Sequence, residues 1–112
     1  MADRTYWPDL FTWTTWKEFL DAGGKISGFR ERRRNMVQKI KPGDYLLCYL
    51  TGISRFIGLL EVTSSAFKDN SPIWKDEDFP HRIKVKPIVK LEPETAVPIF
   101  QLKDHLSIFQ DL

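Results

Sequence analysis

The order of hydrophobic patterns predicts an α+β fold: a curved, barrel-like, mostly antiparallel β-sheet flanked by short α-helices. Three observations carry this expectation. Strand patterns follow one another from Tyr45 onward, at Tyr45 to Leu50, Arg55 to Thr63 and Arg82 to Val89. Two helical patterns precede them, with a short extended segment between. A further strand pattern comes before the first helix. A chain of 112 residues predicts one domain, residues 1–112.

Taken in order, Thr5 to Trp13 is the first strand, and Pro8 within it favours an edge position because proline donates no ladder hydrogen bond. Thr15-x-x-Glu18 is a capping box that opens a helix carrying Trp16, Phe19 and Leu20 at helical spacing, and Gly23-Gly24 closes it. Ile26 to Phe29 is a short extended segment. Arg30 to Ile40 is a second predicted helix with a narrow stripe of Met36, Val37 and Ile40. Lys41-Pro42-Gly43-Asp44 is a turn. Tyr45 to Leu50 is apolar almost throughout, as in a strand buried on both faces, and Thr51 to Ser54 links it to the next strand. There Gly58 marks a bulge or a close approach. In Arg82 to Val89, Ile83 and Val85 alternate with Lys84 and Lys86, and Pro87 bends the strand or places it at an edge. Ser64 to His81 is a long polar connection that carries Trp74 and Phe79. A terminal helix follows Asp104, with Leu106 and Phe109 facing inward.

Composition excludes several classes. No run of eighteen apolar residues predicts a membrane span, and MADRTYWPD is no secretory leader. Cys48 alone makes no disulfide framework, and His81 and His105 stand too far from it for a metal site. A cytoplasmic protein without metal or cofactor is the expectation. No Ser/His/Asp or Cys/His grouping marks catalysis, and Gly23-Gly24 follows a helix, where it cannot cradle phosphate. Asp76 to Asp78 is more simply a solvated acidic run than a catalytic one.

Charge is unevenly placed. Lys25 to Lys41 holds seven Lys/Arg against one Glu, a local charge of +6 in a chain of net charge +2. Arg30, Arg32, Arg33 and Arg34 cannot all be buried or paired locally. Their planar donor forks suit phosphate oxygens, although a solvated helix face is the plain alternative. Aromatic residues are 13% of the chain, more than one small core holds, so some of Trp13, Phe29, Tyr49, Trp74 and Phe79 are expected on a binding surface. Strand ends and loops of a barrel-like sheet gather at one rim. Rings there, beside arginines, suit a nucleobase with its flanking phosphates.

Four blocks, ISGFRERRRNM, IKPGDYLLCYLTG, RFIGLLEVT and the run from Trp74 to HRIKV, in this order and spacing, resemble an EVE domain. That family belongs to the PUA-like superfamily with YTH and ASCH domains. The resemblance covers residues 5 to 100. It implies a barrel-like sheet and a pocket that accepts one nucleobase, often a modified one, flipped out or on a single strand. By the resemblance, Phe29, Trp74 and Phe79 wall the pocket. Thr12, Trp13 and Thr14 supply polar edge contacts, Asn35 and Thr51 lie near it, and Ser27-Gly28 departs from the YTH cage tryptophan. Ser27, Asn35 or Asp76 would join Thr12 in hydrogen bonding the base, with Tyr49 a further ring. Arg30, Arg32, Arg33, Arg34, Lys39 and Lys41 would hold phosphates. The expected function is a non-enzymatic reader of a modified base in nucleic acid, DNA before RNA. It would serve as the specificity module of a modification-dependent restriction system whose nuclease or motor is supplied elsewhere. The alternatives are a nucleoside or peptide-binding module using the same pocket, and a small nucleotide enzyme relying on His81 and Asp76.

Overall fold

The structure is a computed structural model that describes residues 5–52, 55–75, 78–92 and 96–98. Among the described residues, seven strands and two α-helices follow in the order β1 (Tyr6–Phe11), α1 (Trp13–Asp21), β2 (Ile26–Phe29), α2 (Arg34–Val37), β3 (Tyr45–Leu50), β4 (Arg55–Val62), β5 (Phe67–Lys68), β6 (His81–Lys90) and β7 (Val97–Pro98). The predicted terminal helix, with Leu106 and Phe109, falls outside the described residues.

The sheet runs β1-β3-β4-β6-β2, with β5 added to β6 and β7 to β4. Every pairing is antiparallel except β1 with β3. That parallel pair needs a long crossover, which the segment from Thr12 to Asp44 provides. β1 ends the path, as Pro8 predicts. The sheet curls because β6 changes partners along its length. Its first half pairs β2 and β5, and its second half pairs β4. The β4–β6 register slips where Leu60 faces Pro87 and Leu59 faces Val89. The missing N–H of Pro87 therefore falls at a bulge, beyond the reach of β2.

The inner face carries Leu46, Cys48, Leu50, Ile57, Leu60, Val62, Ile83 and Val85, and α1 covers it with Trp16 and Phe19. Gly58 is the point of closest approach. A Cβ there would stand 2.8 Å from the Trp16 ring and 2.9 Å from the Val89 carbonyl. On the outer face, Phe56 and Leu59 are buried against Tyr6, Tyr45, Leu47, Val89 and Leu91. The residues of β3 thus alternate between fully and half-buried, which is why its sequence is apolar throughout.

Two helical expectations are corrected. The first helix begins three residues earlier than Thr15-x-x-Glu18 predicts. Thr12 is the N-cap: its hydroxyl accepts from the Thr15 N–H at 3.1 Å, and the Thr15 hydroxyl accepts from the Thr12 N–H at 2.9 Å. Both threonines satisfy the capping chemistry, and the length of β1 selects between them. Glu18 instead accepts from the Lys75 N–H at 2.9 Å. The second helix is not continuous from Arg30 to Ile40. Arg30 is extended, Glu31–Arg33 form a 3₁₀ turn, and α2 is a single turn without a side-chain cap. Val37 is its one buried residue, too small an apolar stripe to hold a longer helix bearing consecutive like charges.

Asp44 closes the far end of the β1–β3 pair. Its carboxylate accepts from the Thr5 N–H at 3.2 Å, from the Trp7 indole at 3.0 Å and from the Lys41 N–H at 3.0 Å. Burial pushes this carboxyl up, but the Trp7, Lys41 and Thr5 donors together pull it below the usual carboxylate range.

Candidate functional site

At the other end of the β1–β3 pair lies a cavity of about 210 Å³. It is smaller than the roughly 300–1,000 Å³ of drug-sized pockets and suits one small ring system. Asp9, Leu10 and Phe11 of β1, with Thr12 and Thr15 of the α1 cap, form one side. Gly28, Phe29 and Arg30 form the second, Phe79 and Thr51 contribute from their loops, and Arg32 and Arg33 complete the rim.

The aromatic wall is built through β2. Gly28 has no side chain because Trp74 and Phe79 occupy that space: a Cβ would stand 2.8 Å from the Trp74 ring and 2.7 Å from the Phe79 Cβ. Trp74 is 4% exposed and donates its indole N–H to the Thr15 carbonyl at 3.2 Å. It supports Phe79 edge-on, with ring centroids 4.9 Å apart. The Arg30 guanidinium lies 5.2 Å from the Phe79 centroid, a cation–π distance. Buried Arg82 holds the long connection in place. Its guanidinium donates to the Ser71 and Phe79 carbonyls, faces Asp69 at 3.7 Å and lies 5.5 Å from the Trp74 ring.

The floor is polar. Asp9 is 2% exposed, and its Oδ2 accepts from the hydroxyl of the fully buried Ser27 at 2.5 Å. Burial pushes the Asp9 carboxyl up to about 7, against the opposing pull of the Ser27 hydroxyl and the Arg33 charge. Burial, with the Asp9 charge adding to it, also pushes the neighbouring Cys48 thiol up. Outside the cavity lining, His81 Nε2 contacts Glu31 Oε1 at 2.7 Å and ties the arginine segment to β6. The His81 hydrogen bond holds Glu31 below its ordinary range. Arg33 is steadied on Met36 Sδ at 3.0 Å.

The sequence-predicted residues divide accordingly. Thr12, Phe29, Thr51, Phe79, Arg30, Arg32 and Arg33 meet at the cavity. Trp74 does not line it, because it is buried behind Gly28 and Phe79 as their support. Ser27 lies beneath Asp9 and reaches the cavity only through that carboxyl. Trp13 and Thr14 are exposed on the first turn of α1, and Lys17 Nζ stands 5.9 Å from the Trp13 ring centroid. Tyr49 follows Tyr45 and Leu47 onto the outer side of β3. Asn35 is exposed on α2, and Arg34 turns away to Glu31 at 3.5 Å. Neither Lys39 nor Lys41 lines the cavity, and Lys41 sits beside Asp44 at the closed end of the β1–β3 pair. Asp76 lies outside the described residues.

Asp9 is the principal residue that motif reasoning misses. Its signal is present, since Trp7, Asp9 and Phe11 share one face by alternation, and a carboxyl on an apolar strand face demands an explanation. A broader groove of about 510 Å³ lies along Lys25, Lys84 and Lys86 at the other end of β2, without an aromatic wall.

A curled sheet with one parallel edge pair, an α-helix across its inner face and a ring-walled cavity at the strand ends define a YTH-like, PUA-like fold. The YTH domain of the Zygosaccharomyces rouxii MRB1 protein, solved in complex with N6-methyladenosine RNA, superposes with a TM-score of 0.64 at 21% identity over 91% of this chain and 66% of that one. The Pho92 YTH domain, solved in complex with m6A, gives a TM-score of 0.69 at 17% identity over 92% of this chain and 65% of that one. The chain thus spans slightly less than two thirds of those structures. The EVE domain profile matches residues 8–109, and the chain belongs to the EVE domain family, as its sequence blocks predict. A UPF0310 protein of Pyrococcus abyssi is 30% identical over 80% of this chain and 72% of its own length.

Proposed function

We propose that the protein binds nucleic acid and reads one modified base, which leaves its stack and enters the cavity at the end of β1 and β2. The observation that carries this reading is a ring-walled cavity of about 210 Å³ whose rim holds Arg30, Arg32 and Arg33. Phe79 stacks on the base, an interaction of about 1–3 kcal/mol, and the rim arginines hold the phosphates on either side. Extruding the base costs a few kcal/mol, least for a base already on a single strand. The two YTH domains, solved with N6-methyladenosine RNA and with m6A, support the general class of ligand. In this reading the domain recognises its ligand without transforming it. A restriction system that cleaves modified DNA would use it to select targets and supply the nuclease or motor separately. A pocket for a free nucleoside needs no basic rim, so the three arginines favour the polymer over that alternative.

Methyl burial contributes only about 0.8 kcal/mol, while tenfold discrimination needs about 1.4 kcal/mol. Shape and hydrogen bonding at the floor must supply the rest. Fluorescence anisotropy with modified and unmodified oligonucleotides, in DNA and RNA arms, tests the proposal. At least tenfold tighter binding of one modified oligonucleotide is expected. Equal, salt-sensitive binding to all of them reduces the site to a charge patch.

A further inference from the structure

Asp9 is the one carboxyl among the described residues that line the cavity. Ser27 engages its Oδ2, and Oδ1 is the oxygen outside that hydrogen bond. The groups around it are identified element by element. Ser27 faces it from β2, Cys48 pairs with it in register from β3, Thr15 joins it from α1, and Arg33 acts on it from the rim beside Arg30 and Arg32. Cys48 stays a neutral thiol, so Arg33 is the charge that most favours an ionised Asp9.

We propose that Asp9 reads the edge of the bound base as a protonated carboxyl, donating a hydrogen bond from Oδ1 to a ring nitrogen or carbonyl oxygen. This rests on the base-reading function proposed above and adds which edge is read. A base entering the cavity expels water and deepens the burial that already disfavours the charged form. Arg33, drawn to a phosphate, at the same time gives Asp9 less support. Both changes favour the neutral acid, and a carboxyl held neutral in an apolar site is a strong donor. Where the free protein holds Asp9 ionised, the complex therefore takes up a proton from solvent. Its floor selects an acceptor such as an adenine or cytosine ring nitrogen and leaves a donor-only edge unmatched. In the free protein Asp9 titrates at about 7, so this uptake falls in an accessible pH range.

The test is anisotropy with methylated-adenine and methylated-cytosine oligonucleotides, DNA and RNA, from pH 6 to pH 8 at fixed salt. Wild-type affinity is expected to fall about tenfold across that range, as one proton is lost from the free protein. Asp9→Asn, whose amide is a donor at every pH, is expected to give a flat profile. Ser27→Ala, which removes the hydroxyl that favours the ionised form, is expected to move the midpoint upward. A wild-type affinity that rises with pH, an unmoved midpoint in Ser27→Ala, or a pH profile unchanged in Asp9→Asn overturns the inference while leaving the reader intact. Absence of binding by any oligonucleotide at any pH overturns both.

Discussion

Two buried aspartates sit at opposite ends of the β1–β3 pair, and they are satisfied very differently. Asp44 receives two backbone N–H groups and an indole N–H, so it stays ionised and fastens the chain ends of the two strands together. Asp9, 2% exposed, receives one side-chain donor among the described residues, the Ser27 hydroxyl. Burial outweighs that donor and lifts the carboxyl to about 7. What a buried carboxylate does is set by the depth of its burial together with the number of donors aimed at it. The closed end uses its charge for structure, and the open end keeps hydrogen-bonding capacity for a ligand.

The largest expected effect is at the closed end. Asp44→Ala leaves three donors short of a partner and should destabilise the fold by about 3–5 kcal/mol, read as a lowered urea midpoint. At the open end the sign reverses with pH. Asp9 binds its proton more tightly folded than unfolded, with a folded value of about 7 against 3.8. Its contribution is therefore fully favourable below about pH 4 and is lost as pH rises to about 7. Asp9→Asn should match wild type at pH 4 and exceed it at pH 8 by up to about 4 kcal/mol, measured as the difference between two melting series. Stability equal to wild type at both pH values would mean that Asp9 is solvated and that the two aspartates are not distinct.

Smaller effects separate binding from folding. Phe79→Ala should weaken binding of the modified oligonucleotide by about 1–3 kcal/mol through lost stacking. Trp74→Ala should show mainly as lost stability, since the ring is core. The smallest effect concerns the rim. Arg32→Ala should reduce the slope of log affinity against log salt by about one, and Lys41→Ala, at the closed end, should leave it unchanged. Equal changes in both would extend the phosphate path beyond the cavity.

What the sequence alone determined is what repeats locally. The period of two in β6, the KPGD turn, the glycine at the Trp16 contact, the bend at Pro87 and the concentration of arginine were all legible, because each is carried by residues close together in the chain. The EVE blocks identified the family for the same reason. Only the tertiary structure decided which threonine caps α1, because Thr12 and Thr15 have the same capping chemistry and the end of β1 selects between them. It also placed Trp74 inside and Phe79 at the cavity, although both stand among polar residues in one loop. Gly28 on a distant strand leaves room for both rings, and Arg82 folds the loop onto it. The role of Asp9 belongs here too. A carboxyl in an apolar strand is visible in the sequence, but whether it is fastened like Asp44 or left facing a cavity depends on which donors other elements bring within hydrogen-bond reach.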